Sequence, residues 1–211
     1  STNSRSAHDS VGIDANGNSV VVWTSDSGDG SDAAVYAQRY NARGVAQGAV
    51  FRINQTTTGN QQWASVAVNA DGGFIVTWTS QGQDGGGQGV YARVYDAMGV
   101  GGNEFLVNTT TSGDQMASSI GVSADGSFVI AWEGNGPGDS SGVFAQRFDA
   151  TGTKDGSEFR VNTTTSNSQA NVAVAVSRDG QFMVVWNDSL GTHGRRFNAN
   201  GTAVDILDLL I

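Results

Sequence analysis

The sequence predicts an all-β protein, a four-bladed β-propeller made of four antiparallel sheets of four strands each. One observation is a repeated segment, in which an Asn-Gly or Asp-Gly turn leads into a short apolar strand that ends on tryptophan. A second is its period, because successive tryptophans are 55, 54 and 54 residues apart. The alternative is part of a larger propeller or repeat array. The four copies are NGNSVVVW (16–23), DGGFIVTW (71–78), DGSFVIAW (125–132) and DGQFMVVW (179–186).

Each repeat divides into four short strands joined by tight turns. The first turn of each repeat carries Asn-Gly or Asp-Gly, which supply the positive backbone angles of a tight hairpin. A meander of four strands is the arrangement of a propeller blade. The repeat therefore places blades at about 1–54, 55–108, 109–162 and 163–211 of one domain. In the second repeat the strands are SVAV (65–68), FIVTW (74–78), VYARVY (90–95) and EFLVN (104–108).

The second strand of each repeat is apolar on both faces, which is typical of a strand lying between two neighbouring sheets. We therefore expect the four repeated tryptophans to be mostly buried at equivalent places. The middle position of the first strand is Gly or Ala in every repeat, and we expect it to face a narrow axis, which favours a closed ring of four blades. The tryptophans are Trp23, Trp78, Trp132 and Trp186; the small residues are Gly12, Ala67, Gly121 and Ala175.

Composition excludes several classes of protein. The formal net charge of −9 argues against nucleic-acid binding and against attraction to anionic membranes. No apolar run is long enough for membrane insertion as a helix. Cysteine is absent, so disulfides, thiolate metal sites and a cysteine nucleophile are excluded. Low lysine with abundant Gly, Asn and Thr is typical of a secreted or cell-surface bacterial protein.

The repeat also resembles a known group of sequences. The pattern DGxFxVxW … GVxAQRxD … G … EFxVNTTT, over residues from about 10 to 200, is similar to β-repeats of about 54 residues in large bacterial surface proteins of the RTX and adhesin type. Many of those proteins also carry calcium-binding segments. The resemblance implies a secreted or surface-attached chain, and it names no activity.

One acidic loop is a candidate calcium site. The segment DSGDGSD (26–32) places Asp26, Asp29 and Asp32 within seven residues of a Gly-rich turn. Calcium prefers six to eight oxygen ligands, which carboxylates on a flexible loop supply together with carbonyls. The alternative interpretation is a solvated acidic turn in which the aspartates are turn formers.

Residues for catalysis or ligand binding are scarce. No catalytic motif is present, and His193 occupies a position that is aromatic in the other repeats, which predicts a partly buried strand residue. Glycosidases need two carboxyl groups across a cleft, and the repeat singles out no such pair. Trp63 is the only tryptophan outside the repeat register, so it is the best candidate for an exposed ligand platform. The asparagines of the NTTT links, such as Asn108, are expected to cap the turn backbone.

These features predict a non-catalytic extracellular or cell-surface module for binding or self-assembly, stabilised by calcium, and not an enzyme. Its partner would be a carbohydrate, a protein surface or a second copy. One alternative is a lectin-like propeller with related sites between its blades, and a further one is a propeller glycosidase.

Overall fold

The computed structural model describes residues 9–26 and 30–211, and these residues form four antiparallel sheets of four strands. The first sheet contains β1 (Ser10–Ile13), β2 (Ser19–Ser25), β3 (Ala34–Tyr40) and β4 (Ala46–Arg52). The second contains β5 (Gln61–Val68), β6 (Phe74–Gln81), β7 (Gln88–Tyr95) and β8 (Phe105–Leu106). The third contains β9 (Gln115–Val122), β10 (Phe128–Gly136), β11 (Asp139–Phe148) and β12 (Phe159–Arg160). The fourth contains β13 (Ala170–Val176), β14 (Phe182–Asp188), β15 (Gly191–Phe197) and β16 (Leu209–Leu210).

The strands of each sheet follow one another as a meander, and every pairing is antiparallel. The innermost strands β1, β5, β9 and β13 are adjacent in that order, so the sheets pack face to face around an axis. The predicted fold of four four-stranded propeller blades is therefore confirmed. None of the described residues belongs to a helix long and apolar enough to cross a membrane.

The turn between the first two strands of each blade is held by an aspartate. In the third blade, Asp125 accepts hydrogen bonds from the hydroxyls of Ser123 and Ser127 at 2.6 and 2.7 Å. These bonds lower the pKa of Asp125 from 3.8 to about 2, and the bond from Ser123 has the largest effect. Gly126 follows with a φ of 85°, a conformation that glycine adopts without strain.

The lowered pKa of Asp125 predicts a loss of stability in acid. Because the folded protein holds the ionised carboxylate better than the unfolded chain does, the contribution is complete above pH 4 and disappears as the pH falls towards 2. We expect wild type to melt above the Asp125→Asn variant at pH 5, and the difference to shrink towards pH 2 in thermal unfolding followed by circular dichroism. A difference that is independent of pH would contradict this account.

Three apolar cores fill the spaces between successive blades. Trp78 lies in the core between blades 1 and 2, Trp132 in the next and Trp186 in the third, each with at most 1% of its surface exposed. A stacked aromatic pair recurs at the start of the second strand, such as Phe74 on Tyr95 with ring centroids 4.6 Å apart. Three of the four repeated tryptophans are thus buried as the sequence predicts.

Trp23 differs from these three. It lies on the equivalent face of blade 1, where it stacks on Tyr36 at 6.3 Å, but part of its surface is exposed. Trp23 is still mostly buried, as the sequence predicts, but it has more exposed surface than the other three tryptophans. The reason is tertiary, because each of the other three tryptophans packs on a preceding blade, and no apolar core of the described residues joins blade 4 to blade 1.

The small residues of the innermost strands serve a purpose other than the predicted one. A Cβ atom on Gly12 would lie 2.6 Å from Cγ2 of Val68, and one on Gly121 would lie 2.7 Å from Cγ2 of Val176. Each glycine therefore faces the innermost strand of the next blade rather than the axis. Crowding between consecutive blades, and not a narrow channel, requires a small side chain at these two glycines.

The asparagines of the NTTT links hold consecutive blades together. Asn108 accepts a hydrogen bond from the backbone N–H of Val90 at 2.8 Å and donates to the carbonyl of Thr110 and to Oε1 of Gln115. The same three bonds recur at Asn54 and Asn162. The predicted role of these residues as caps of the turn backbone is confirmed.

Candidate functional site

A cleft of about 530 Å³ opens on the propeller axis where the four innermost strands begin. Every blade contributes to it, so the residues that line it lie far apart in the sequence. Smaller crevices of about 270 to 430 Å³ lie between neighbouring blades, beside the Asp-Gly and Asn-Gly turns. The side chains and backbone that surround the axial cleft include Asp9, Ser10, Trp63, Ser119, Glu133 and Asn171.

A β-bulge at the start of each of β5, β9 and β13 shapes this cleft. The ladder shifts register between Gln62 and Ser65 of β5, and equivalent shifts occur in β9 and β13. The bulged residues have left-handed backbones, with φ of 56° at Trp63, 52° at Ala117 and 57° at Asn171. Bulges of this kind redirect side chains next to binding sites.

Trp63 is an unusual residue for such a backbone. Left-handed φ values are tolerated by asparagine and strained for bulky side chains, at a cost of about 1–3 kcal/mol. Trp63 is among the residues that line the axial cleft, and it is partly exposed. The structure therefore places the predicted platform residue in the largest of these clefts, and its ligand-binding role stays a prediction.

Glu133 is the first of two carboxylates in this cleft. It follows Trp132 on β10, and its Oε2 accepts a hydrogen bond of 2.6 Å from the backbone N–H of Asn171. At the equivalent place in the preceding blade, Oγ1 of Thr79 accepts a hydrogen bond of 3.1 Å from the backbone N–H of Ala117. A charge-assisted bond of this kind fixes the orientation of the carboxylate at the cleft wall.

Asp9 is the second carboxylate. It precedes β1 and is exposed at the cleft, whereas the residues at the equivalent place in the other blades, Ala64, Ser118 and Val172, are buried. Neither Asp9 nor Glu133 is predicted from the sequence. The available signal was a departure from the repeat, because position 133 is threonine or asparagine in the other blades and position 9 is uncharged in them.

The acidic loop lies only partly within the described residues. Asp26 and Asp32 are exposed, and Asp29 lies outside the described residues. Within 9–26 and 30–211, no group of three or more metal-ligating side chains is present. Calcium binding at Asp26, Asp29 and Asp32 stays a prediction from the sequence.

His193 is a partly buried strand residue, as predicted. Its ring stacks on Trp186 with centroids 6.1 Å apart, and its Nε2 lies 3.0 Å from Oδ1 of Asp188. The pKa of Asp188 is lowered chiefly by the backbone N–H of Leu190, with His193 adding to the effect. This pair belongs to the outer part of blade 4 and not to the lining of the axial cleft.

No protein-family model matches the sequence, and no curated protein matches it. Solved structures match its fold. One is a glycoside hydrolase of the mannoside phosphorylase family, targeting β-1,2 mannosidic linkages in Candida mannan, with 12% identity and a TM-score of 0.57 over 97% of this chain and 70% of that one. An α-L-arabinofuranosidase from Lactobacillus brevis has 11% identity and a TM-score of 0.54 over 92% and 74%. An α-L-arabinofuranosidase from Fusarium graminearum has 10% identity and a TM-score of 0.62 over 97% and 64%.

These comparisons correct the functional expectation drawn from the sequence. The expected class was a non-catalytic binding or self-assembly module that is not an enzyme, yet the solved structures that share this fold carry the names of glycoside hydrolases. The repeat was a poor guide to activity because it records what the blades share, whereas the two cleft carboxylates are departures from it. At 10–12% identity the likeness itself shows the fold.

Proposed function

We propose that this chain cleaves glycosidic bonds of a carbohydrate bound in the axial cleft. The observation that carries the proposal is the composition of that cleft, whose lining includes two acidic residues, Asp9 and Glu133, together with Trp63, around one opening of about 530 Å³. Two carboxyl groups flanking the scissile bond are the minimum equipment of most glycoside hydrolases. An aromatic ring beside them offers a flat apolar surface with a polar edge.

The three side chains have different tasks in this proposal. Trp63 packs on the apolar face of a sugar ring and fixes where the ring sits. Glu133, held by the backbone N–H of Asn171, accepts a proton from the water that attacks the anomeric carbon. Asp9 is the exposed partner that delivers a proton to the leaving oxygen. One carboxyl group that donates a proton and one that supports attack complete the hydrolysis of a glycoside.

The fold is consistent with the proposal but is not the observation on which it rests. Propellers of this kind include enzymes named for cleavage of mannosides and arabinofuranosides, and function resides in a site rather than in a fold. A carbohydrate partner is consistent with both observations. The secreted or cell-surface location inferred from composition, and the kinship with RTX and adhesin-type repeats, remain part of the proposal because a polysaccharide substrate is usually met outside the cell.

The test is hydrolysis of a panel of aryl glycosides and polysaccharides, including mannosides, arabinofuranosides and galactans. We expect turnover of at least one class, and we expect Glu133→Gln and Asp9→Asn each to lower kcat by about 100-fold or more, the size of a lost acid or base. Asp155→Asn is the matched control, because Asp155 is an exposed carboxylate that does not line this cleft. Turnover that survives both cleft substitutions would contradict the proposal.

A further inference from the structure

The three interfaces between blades follow one rule. We call the tryptophan face the side of a blade that carries the repeated tryptophan and the apolar residues of its innermost strand. In each pair of neighbouring blades, the tryptophan face of the later blade packs against the opposite face of the preceding blade. At the first interface, Trp78 and Val66 of blade 2 pack with Val20 and Val22 of blade 1. At the third, Trp186 of blade 4 packs with residues of blade 3. The faces of a blade are therefore of two complementary kinds.

The tryptophan face of blade 1 has no such neighbour in the described residues. Val11 and Ile13 of β1 are 66% and 67% exposed, whereas Val66 and Ile120, which take the place of Val11 in blades 2 and 3, are each 7% exposed. Trp23 on the same face is partly exposed. Two β-branched residues this exposed beside an indole form an apolar surface of the kind that marks an interaction site.

The opposite face of blade 4 is open as well. In blade 3, the residues Val129 and Ala131 of this face are 5% and 0% exposed because blade 4 covers them. Their counterparts in blade 4, Met183 and Val185, are only partly buried. The tryptophan face of blade 1 and the opposite face of blade 4 are thus both without a neighbouring blade among the described residues.

The two open faces border the same gap. The axial cleft is lined by Asp9 and Ser10 of blade 1 and by Asn171 and Val172 of blade 4, so the end blades curve towards each other around one axis. A single sheet of the repeat type has one face of each kind and can therefore contact both end blades. The required sheet must show a tryptophan face to blade 4 and the opposite face to blade 1.

We infer that the faces of blades 1 and 4 form the seat of a fifth blade, a four-stranded sheet with the same face chemistry as the repeat. The blades of this chain themselves define that occupant, since blade 3 shows one such face to blade 2 and the other to blade 4. Docking covers Val11, Ile13 and Trp23 and completes the ring around the axial cleft.

The first test uses the chain as it is. Val11→Lys is compared with Val66→Lys, the same substitution at the equivalent place in blade 2. We expect Val66→Lys to lower the Tm by about 10 °C or to prevent folding, because a lysine would be buried without a partner. We expect Val11→Lys to change the Tm by at most about 2 °C. Equal losses would show that the blade 1 face is already covered and would overturn the inference.

The second test supplies the blade. Ile211 corresponds to Val161 of blade 3, because β16 pairs with β15 in the register in which β12 pairs with β11. A copy of residues 108–161 is therefore joined after Ile211, and a control carries the same copy with Trp132→Asp. We expect the first protein to remain monomeric and to melt several degrees above the native chain. We also expect it to protect Trp23 from fluorescence quenching by acrylamide. The Trp23→Phe variant identifies the part of the fluorescence that comes from Trp23.

The control should give none of these changes. An added copy that stays sensitive to protease and leaves Trp23 accessible would overturn the inference. So would concentration-dependent dimerisation of the native chain that protects Trp23, since the seat would then belong to a second copy. Neither result depends on catalysis, so this inference and the proposed activity fail separately.

Discussion

Truncation of Trp78 to alanine is expected to lower the free energy of unfolding by about 3–5 kcal/mol. Trp78 has no exposed surface and lies in the core between blades 1 and 2, with its ring 6.4 Å from that of Tyr91. Its Nε1 is buried without a hydrogen-bond partner among the described residues. Because this unsatisfied donor destabilises the folded protein, its removal offsets part of the loss in free energy of unfolding. We therefore expect a value near the lower end of the range, measured by denaturant unfolding.

Trp23→Ala is the matched control, because the two tryptophans occupy the same register of the repeat. Trp23 is partly exposed and stacks on Tyr36 within its own blade, so we expect its truncation to cost no more than about half as much as that of Trp78. Equal losses at the two positions would contradict the observed difference in burial, and would indicate that the blade 1 face is covered in solution.

The strands and turns could be predicted because local chemistry repeats with them. The tight turn at 125–126 requires a positive φ, which Gly126 adopts without strain, and Phe128 begins a strand with both faces buried. Such features depend on nearest neighbours in sequence. Any segment with the same turn and the same alternation forms the same hairpin, so four copies form four blades.

Burial at the ends of the row could not be predicted in this way. Val11 and Val66 are the same residue type at the same place in their repeats. Nevertheless, Val11 is 66% exposed and Val66 is only 7% exposed. Only the presence or absence of a preceding blade separates them. A repeat read as sequence makes all of its units equivalent, whereas the outermost units have one neighbour fewer.

The candidate site was predicted in part for a related reason. Trp63 is recognisable because it stands outside the tryptophan register, whereas Glu133 occupies a repeated position and differs there only in residue type. The left-handed backbones of Trp63, Ala117 and Asn171 carry no common residue type that would reveal a bulge. Their equivalence is visible only in the strand pairing, which is a property of the folded sheet.

Substitution of Trp63 by asparagine is expected to separate ligand binding from stability. Asparagine already occupies the equivalent bulge at Asn171 with a φ of 57°, and it tolerates left-handed backbone better than tryptophan does. The indole is partly exposed, so relief of backbone strain offsets the reduced packing of its apolar surface. We therefore expect the free energy of unfolding to change by less than about 1 kcal/mol.

Binding should respond very differently. If the indole is the platform for a sugar ring, its removal should weaken binding of the substrate oligosaccharide by about 10- to 100-fold, equivalent to about 1.4–2.8 kcal/mol. Calorimetric titration in a Glu133→Gln background measures this without turnover. A large loss of stability in Trp63→Asn would instead make Trp63 a packing residue, and an unaltered affinity would remove it from the site. The bulge would then account for the backbone at Trp63 but not for the choice of tryptophan there.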